Sequence, residues 1–334
     1  MPRPAWMALA LLLGTWVACA TVPTVPVSPA LAPAWPAPPE KARIAYVSTI
    51  RGPRDLGLRK PFFQRLRELI VGSLPGALAQ PVAVAVADDR MAIADAGCGC
   101  VHVFDLAKKT SYLVRNGGGA ELLSPVGVAL GSRGLWIADS ARRAVFLIDP
   151  HGKTLQTIPE LERPTGLAWD AAGSRLFIAE TLAHRVCAFT EQGGRLLCFG
   201  ARGREPGDFN YPTHLTFAEG PGLLLVTDAM NFRVQAFRAS GELAFALGKA
   251  GNGSGDFSHP KGVAVDPDGN IYVVDALFDR VQIFDHSGRL LLGLGGAGAG
   301  PGQFWLPSGI AFHGNRFFVA DTHNGRVQVF RYEP

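Results

Sequence analysis

Cys98-Gly99-Cys100-Val101-His102 puts two thiols and an imidazole within one short segment. Alternate residues of an extended chain share a side, so all three side chains point the same way if the segment is a strand. The spacing is not the C-x-x-C-H of haem attachment. In an oxidising compartment the thiols pair as a loop disulfide. Metal capture with His102 is the other chemistry open to them, although three ligands make a thin case.

A second set of candidates is ionic. Glu180/Arg185, Asp228/Arg233, Asp275/Arg280 and Asp321/Arg326 repeat one spacing. A carboxylate so placed accepts backbone N–H groups of its loop and pairs with the guanidinium in a bidentate geometry. Because the spacing recurs, its first explanation is that it fixes a loop. The alternative is a ring of arginines that binds an anion, with Arg202, Arg204 and Lys249 adding to the field.

What positions these residues is a repeat. A proline opens a short apolar strand at Pro81, Pro125, Pro164, Pro212, Pro260 and Pro307. Each begins a unit such as Pro260-Lys261-Gly262-Val263-Ala264-Val265. A second strand follows that ends in an acid (Tyr272-Val273-Val274-Asp275), then Arg280-Val281-Gln282-Ile283-Phe284, then Arg289-Leu290-Leu291-Leu292. Asp266-Pro267-Asp268-Gly269-Asn270 and Asp285-His286-Ser287-Gly288 supply hairpin turns. Four antiparallel strands in roughly 40–50 residues make one propeller blade. The expectation is an all-β, six-bladed β-propeller. Its loop face collects the second-to-third-strand loops and the blade connections, and the opposite face holds only hairpins. Gly293-Leu294-Gly295-Gly296-Ala297-Gly298 matches G-x-G-x-x-G, but Gly300-Pro301-Gly302 follows where a nucleotide site needs a helix.

Gly251-Asn252-Gly253-Ser254-Gly255-Asp256-Phe257 before Pro260, then Asp275 and Arg280 to Phe284, resembles an NHL repeat. The order recurs from Gly200 to Phe237 and from Gly293 to Phe330, and the resemblance runs from Pro81 onward with blades one and two the most degenerate. The family spans scaffolds, RNA binders and a few lyases, so it implies a fold more firmly than a function. Its amidating lyases hold zinc with histidines around the channel. Here His214 stands where Gly127, Gly166, Gly262 and Gly309 stand in other units. His259, His184 and His323 do not complete a recognisable ligand set with it. No cofactor is predicted, and zinc or calcium is the ion that His214 or the Cys98, Cys100, His102 group would take. Cys187 and Cys198 fall on the third and fourth strands of blade three. If Phe189 faces Leu196 across the Gly193-Gly194 turn they are direct neighbours, and a cross-strand disulfide is expected.

The last unit stops after its third strand, and Arg43 to Ile50 has strand composition with no repeat of its own. It is expected to complete blade six and remove an exposed sheet edge. Residues 61–72 read as a short amphipathic helix on the loop face, with Phe62, Phe63, Leu66, Leu69 and Ile70 on one side. Residues 1–18 read as a signal peptide ending in Trp16-Val17-Ala18-Cys19, which resembles a bacterial lipobox with Cys19 lipidated. Residues 19–42, rich in proline and alanine, read as a disordered tether. The domain 43–334 would then sit in the bacterial cell envelope, lipid-anchored at the outer membrane.

The net charge of +4 argues against nucleic acid, which calls for a dense basic stripe. No catalytic set assembles from the sequence. The expected function is a non-enzymatic scaffold that presents its loop face to a protein or small ligand. A metal-dependent propeller enzyme around His214, lyase-like or lactonase-like, and a polyanion or glycan binder are the alternatives.

Overall fold

The computed structural model describes residues 33–37, 39–58 and 76–334. The expected signal peptide, the Cys19 lipidation site, most of the tether and the 61–72 helix lie outside the described residues. Among those described, no helix is long and apolar enough to cross a membrane.

The described residues form six antiparallel sheets arranged as blades around an axis, five of four strands and the sixth with one short strand added. Blade five shows the plan: Pro260–Val265 lies innermost, followed outward by Ile271–Asp275, Arg280–Phe284 and Leu290–Gly295. The innermost strands of blades one to six neighbour one another in sequence order, and the sixth meets the first. Each blade buries its apolar residues against the next, so the core is six seams with no common centre. Val101 and Val103 meet Ile137 and Phe146 between blades one and two. Phe177 and Phe237 meet between blades three and four, and Phe318 meets Ile93 where blade six closes on blade one.

Three aromatic plugs seal later seams. Phe209, Phe257 and Phe304 precede the inner strands of blades four, five and six and are fully buried. Truncating such a residue to alanine costs roughly 3–5 kcal/mol. The glycines of the inner strands mark where blades approach most closely. A Cβ on Gly127 would collide with the carbonyl oxygen of Thr165, and one on Gly262 with that of Ser308. Hydroxyls stitch the same seams: Ser140 donates to the Pro164 carbonyl (2.6 Å), Thr181 to Pro212 (2.8 Å) and Thr322 to Pro81 (2.8 Å).

Closure follows the expectation. Ile44–Ile50 pairs antiparallel with Arg326–Tyr332 as the outer strand of blade six, from Ile44 opposite Tyr332 to Ile50 opposite Val327. Two details differ. Ala34–Trp35, inside the segment read as a disordered tether, adds a fifth strand against Ala45 and Ile44. Trp35 anchors it by packing on Phe330, an apolar contact that overrides the proline-rich composition around it. The inner strand of blade six begins at Ile310 instead of Pro307.

Candidate functional site

The loop face is held by an acid at the end of every second strand. Asp95, Asp139, Glu180, Asp228, Asp275 and Asp321 are all fully buried. Each accepts backbone N–H groups from the incoming blade connection, as Asp139 does from Leu123 (2.7 Å) and Ser124 (3.1 Å). Burial of charge is tolerated because these bonds replace water.

In blades four and six three further side chains converge on the acid. Asp321 receives Asn324 Nδ2 (2.9 Å), Arg326 Nε (2.6 Å) and Gln328 Nε2 (3.2 Å). Asp228 receives Asn231, Arg233 and Gln235 in the same way. The remaining guanidinium hydrogens go to loop carbonyls: those of Arg233 to Arg204, Glu205 and Asp208, those of Arg326 to Ala299, Gly300 and Gln303. Arg185 forks onto Glu180 at 3.0 and 3.2 Å. These three arginines are consumed inside the face. The expected Asp275/Arg280 pair does not form among the described residues; Arg280 lies over the ring of Phe278, 4.8 Å from its centroid. Phe278 occupies the place of Asn231 and Asn324, and its aromatic face draws the cation away from the carboxylate. Arg202 and Arg204 are exposed, and Lys249 lies 3.7 Å from Asp256 at the surface.

Blade one replaces this donor set. Cys98, Cys100 and His102 occupy the positions of Asn324, Arg326 and Gln328; His102 still faces the acid, and Cys98 Sγ lies 3.6 Å from the Asp95 backbone carbonyl. His102 Nε2 lies 3.4 Å from Asp95 Oδ2. Burial pushes the Asp95 carboxyl up, but the His102 contact and the amides of Ala79 and Gln80 outweigh it and hold the pKa below its ordinary value. Cys98 and Cys100 are joined as a disulfide, as are Cys187 and Cys198 across the outer strands of blade three. Cys187 stands directly opposite Cys198, whereas Phe189 pairs with Arg195 because a bulge shifts the register.

The central channel is the other concavity, a cavity of about 1130 Å³ lined by the inner strands. Each inner strand from blade one to five bulges just after its opening proline, as between Pro212 and Leu215 or Pro260 and Val263. Bulges re-aim side chains, and Thr213, His214 and Lys261 line the cavity together with His259. His214 is held at about 3 by burial, with the charges of Lys261 and His259 adding to the effect. Burial lowers His259 and Lys261 as well. Lys261 has no carboxylate partner among the described residues. Glu162, the one acid in the described lining, is bound by Arg143. Toward the hairpin face the wall turns apolar, with Leu130, Trp169, Phe217 and Phe312.

His214 was visible in the sequence as a departure from glycine. His259 and Lys261 were not read with it as a group, because the bulge that unites them leaves no separate mark in the pattern. His184 instead accepts the Tyr211 amide (3.2 Å), and His323 packs against Trp305. Among the described residues the clusters that bring three metal-ligand atoms together are Cys98/Cys100/His102 and Glu180/Cys187/Cys198. The channel histidines belong to neither.

Large apolar side chains are exposed on the loop face, and two of them, Leu182 and Met230, line the channel. Leu123, Leu182, Met230, Leu277 and Trp305 are 44–60% exposed, and all lie on blade connections or second-to-third-strand loops.

Six four-stranded blades about a lined channel define a β-propeller. The NHL repeat model matches residues 257–284 and 304–330, in blades five and six, and the chain is a β-propeller of the NHL-repeat kind. A comparison with characterised proteins gives no match. A Bacteroides thetaiotaomicron protein of unknown function shares the fold at 15% identity and a TM-score of 0.62, over 78% of this chain and 72% of that one. Virginiamycin B lyase from Staphylococcus aureus is 17% identical with a TM-score of 0.56, over 78% of this chain and 97% of that one. An auxiliary nutrient binding protein from Bacteroides thetaiotaomicron is 12% identical with a TM-score of 0.61, over 77% and 70%. At such identities the likeness is one of fold.

Proposed function

We propose that the chain is a non-enzymatic binding propeller, lipid-anchored through Cys19 at the outer membrane. It takes a ligand with an anionic group and an apolar body, free or carried on a protein partner, through the loop face. The observation that carries this reading is the acid-poor throat of Lys261, His214 and His259 beneath an apolar rim. A desolvated ammonium without a carboxylate partner gains most from an anion that replaces its lost water. The rim offers Leu182 and Met230 to whatever apolar surface accompanies that anion.

Thermal-shift screening of organic anions against the purified protein and Lys261→Met tests it. Stabilisation of the wild type that disappears in Lys261→Met supports the channel. Stabilisation retained in the variant, or by no anion at all, sinks the reading.

A second reading, metal-dependent catalysis at the channel mouth, draws on His214 and His259 lining one cavity. It is weakened by the nearby Lys261 charge, which disfavours a cation. Stoichiometric zinc in the purified protein, lost with activity in His214→Ala, would move it ahead. A polyanion or glycan site built on Arg202, Arg204 and Lys249 would instead show binding that falls steeply with salt.

A further inference from the structure

The geometry of the repeat assigns a thiophilic metal site to blade one. In blades four and six the fold aims three alternate side chains at one buried carboxylate. In blade one the same three places carry Cys98, Cys100 and His102, whose ligand atoms lie together with His102 against Asp95. We propose that the dithiol form of this loop binds one Zn²⁺ through Cys98 Sγ, Cys100 Sγ and His102 Nε2, the three ligand atoms that lie together, with Asp95 beside His102 and the fourth position left to solvent.

The spacing fits. Tetrahedral zinc holds sulfur at about 2.3 Å and nitrogen or oxygen at about 2.0–2.2 Å, which sets ligand atoms roughly 3.3–3.8 Å apart. His102 Nε2 lies 3.4 Å from Asp95 Oδ2, 3.9 Å from Cys98 Sγ and 3.8 Å from Cys100 Sγ. The two sulfurs, bonded to each other here, are the pair that must separate. The supporting shell is in place: Ala79, Gln80 and Gly97 amides fix the Asp95 carboxylate at 2.7, 2.9 and 3.0 Å. Asp95, Cys100 and His102 are buried, and half-buried Cys98 is the edge by which an ion enters.

Loading requires a dithiol reductant of the thioredoxin class. Two electrons and two protons pass from its thiols to the Cys98–Cys100 bond, leaving two cysteines on this chain and a disulfide on the reductant. Zn²⁺ then displaces the two thiol protons. In the oxidised chain the ligands are occupied with each other, so metal capture reports the redox state of the surroundings.

The test compares the protein with Cys98→Asn/Cys100→Arg/His102→Gln, which restores on Asp95 the donor set that folds in blade six. Both proteins keep Cys187 and Cys198, so binding there registers equally. Each is reduced, desalted without oxygen and titrated with Zn²⁺ alone. The wild type is expected to bind one more zinc per chain than the variant, with two thiols becoming inert to a thiol reagent. Co²⁺ should give thiolate charge-transfer absorption in the wild type only. His102→Gln alone should weaken zinc about 100-fold or more, beyond the 10–100-fold typical of supporting residues. Equal zinc in wild type and triple variant, thiols that stay reactive under Zn²⁺, or unchanged affinity in His102→Gln would each overturn the proposal.

Discussion

Blades one and six use the same loop geometry for opposite ends. In blade six the acid is saturated by Asn324, Arg326 and Gln328, hydrogen-bond donors that neither bind soft metal ions nor exchange electrons. In blade one the same three places hold two sulfurs and an imidazole. A fixed convergence of side chains is thus a platform, and the residue types set on it decide whether it locks a loop or does chemistry. The lesson carries to the channel, where a repeated bulge presents Thr213 and His214 in blade four and Lys261 in blade five.

The comparison breaks most visibly at Arg326. Its guanidinium is 2% exposed and bonded to Asp321 at 2.6 Å, so Arg326→Ala strands a buried carboxylate. A loss of about 3–5 kcal/mol is expected in denaturant unfolding; a loss below about 1 kcal/mol would deny that the clip locks the loop. Next in size is Cys187→Ala/Cys198→Ala. That bridge closes a loop of sequence separation 11, for which chain entropy gives roughly 3 kcal/mol. Cys98→Ala/Cys100→Ala opens a bridge of separation 2 and should cost only about 1.5 kcal/mol. A blade-one loss as large as that of blade three would make its disulfide a structural staple and blur the contrast with blade six.

The channel sharpens the same contrast through pH. Folded His214 takes up a proton only near pH 3, against 6.5 for its ordinary value. Between those values the unfolded chain binds the extra proton, so this group's contribution makes stability fall as pH drops from 6.5 toward 3. His214→Gln should remove roughly 1–2 kcal/mol of that acid sensitivity, allowing for water in the channel. Identical pH profiles for the two proteins would show the imidazole to be solvated. The smallest effect is expected at Lys249, whose pair with Asp256 is exposed. Lys249→Ala should change stability by less than about 0.5 kcal/mol, and a larger change would mean that this surface is built more tightly than its distances show.

Much of the architecture was legible because each blade repeats its own punctuation. The prolines marked the inner strands of blades one to five, the terminal acids marked the loop clips, and the unrepeated Ile44–Ile50 marked the closing strand. The Cys187–Cys198 neighbourhood was legible from one hairpin, even though the register at Phe189 slipped by a bulge. Shared orientation of Cys98, Cys100 and His102 followed from alternation. That His102 turns onto Asp95 required seeing what Gln328 does in the neighbouring blade. Arg280 escaped the rule because Phe278, not asparagine, precedes it, and a single neighbour redirected a cation that spacing alone paired with Asp275. Trp35 escaped because one aromatic contact on Phe330 outweighs a proline-rich neighbourhood.

The closing strand has a consequence in time. Ile44–Ile50 is made early, yet apart from the two-residue Ala34–Trp35 its hydrogen-bonded neighbour among the described residues is Arg326–Tyr332, made last among the blade strands. Until synthesis reaches that partner, blade six cannot be assembled and the ring stays a horseshoe with two open ends. Such long-range pairing is slow, and an unpaired strand in a half-made chain invites association with its neighbours. The step that finishes the ring is therefore also the step during which a crowded compartment threatens it most.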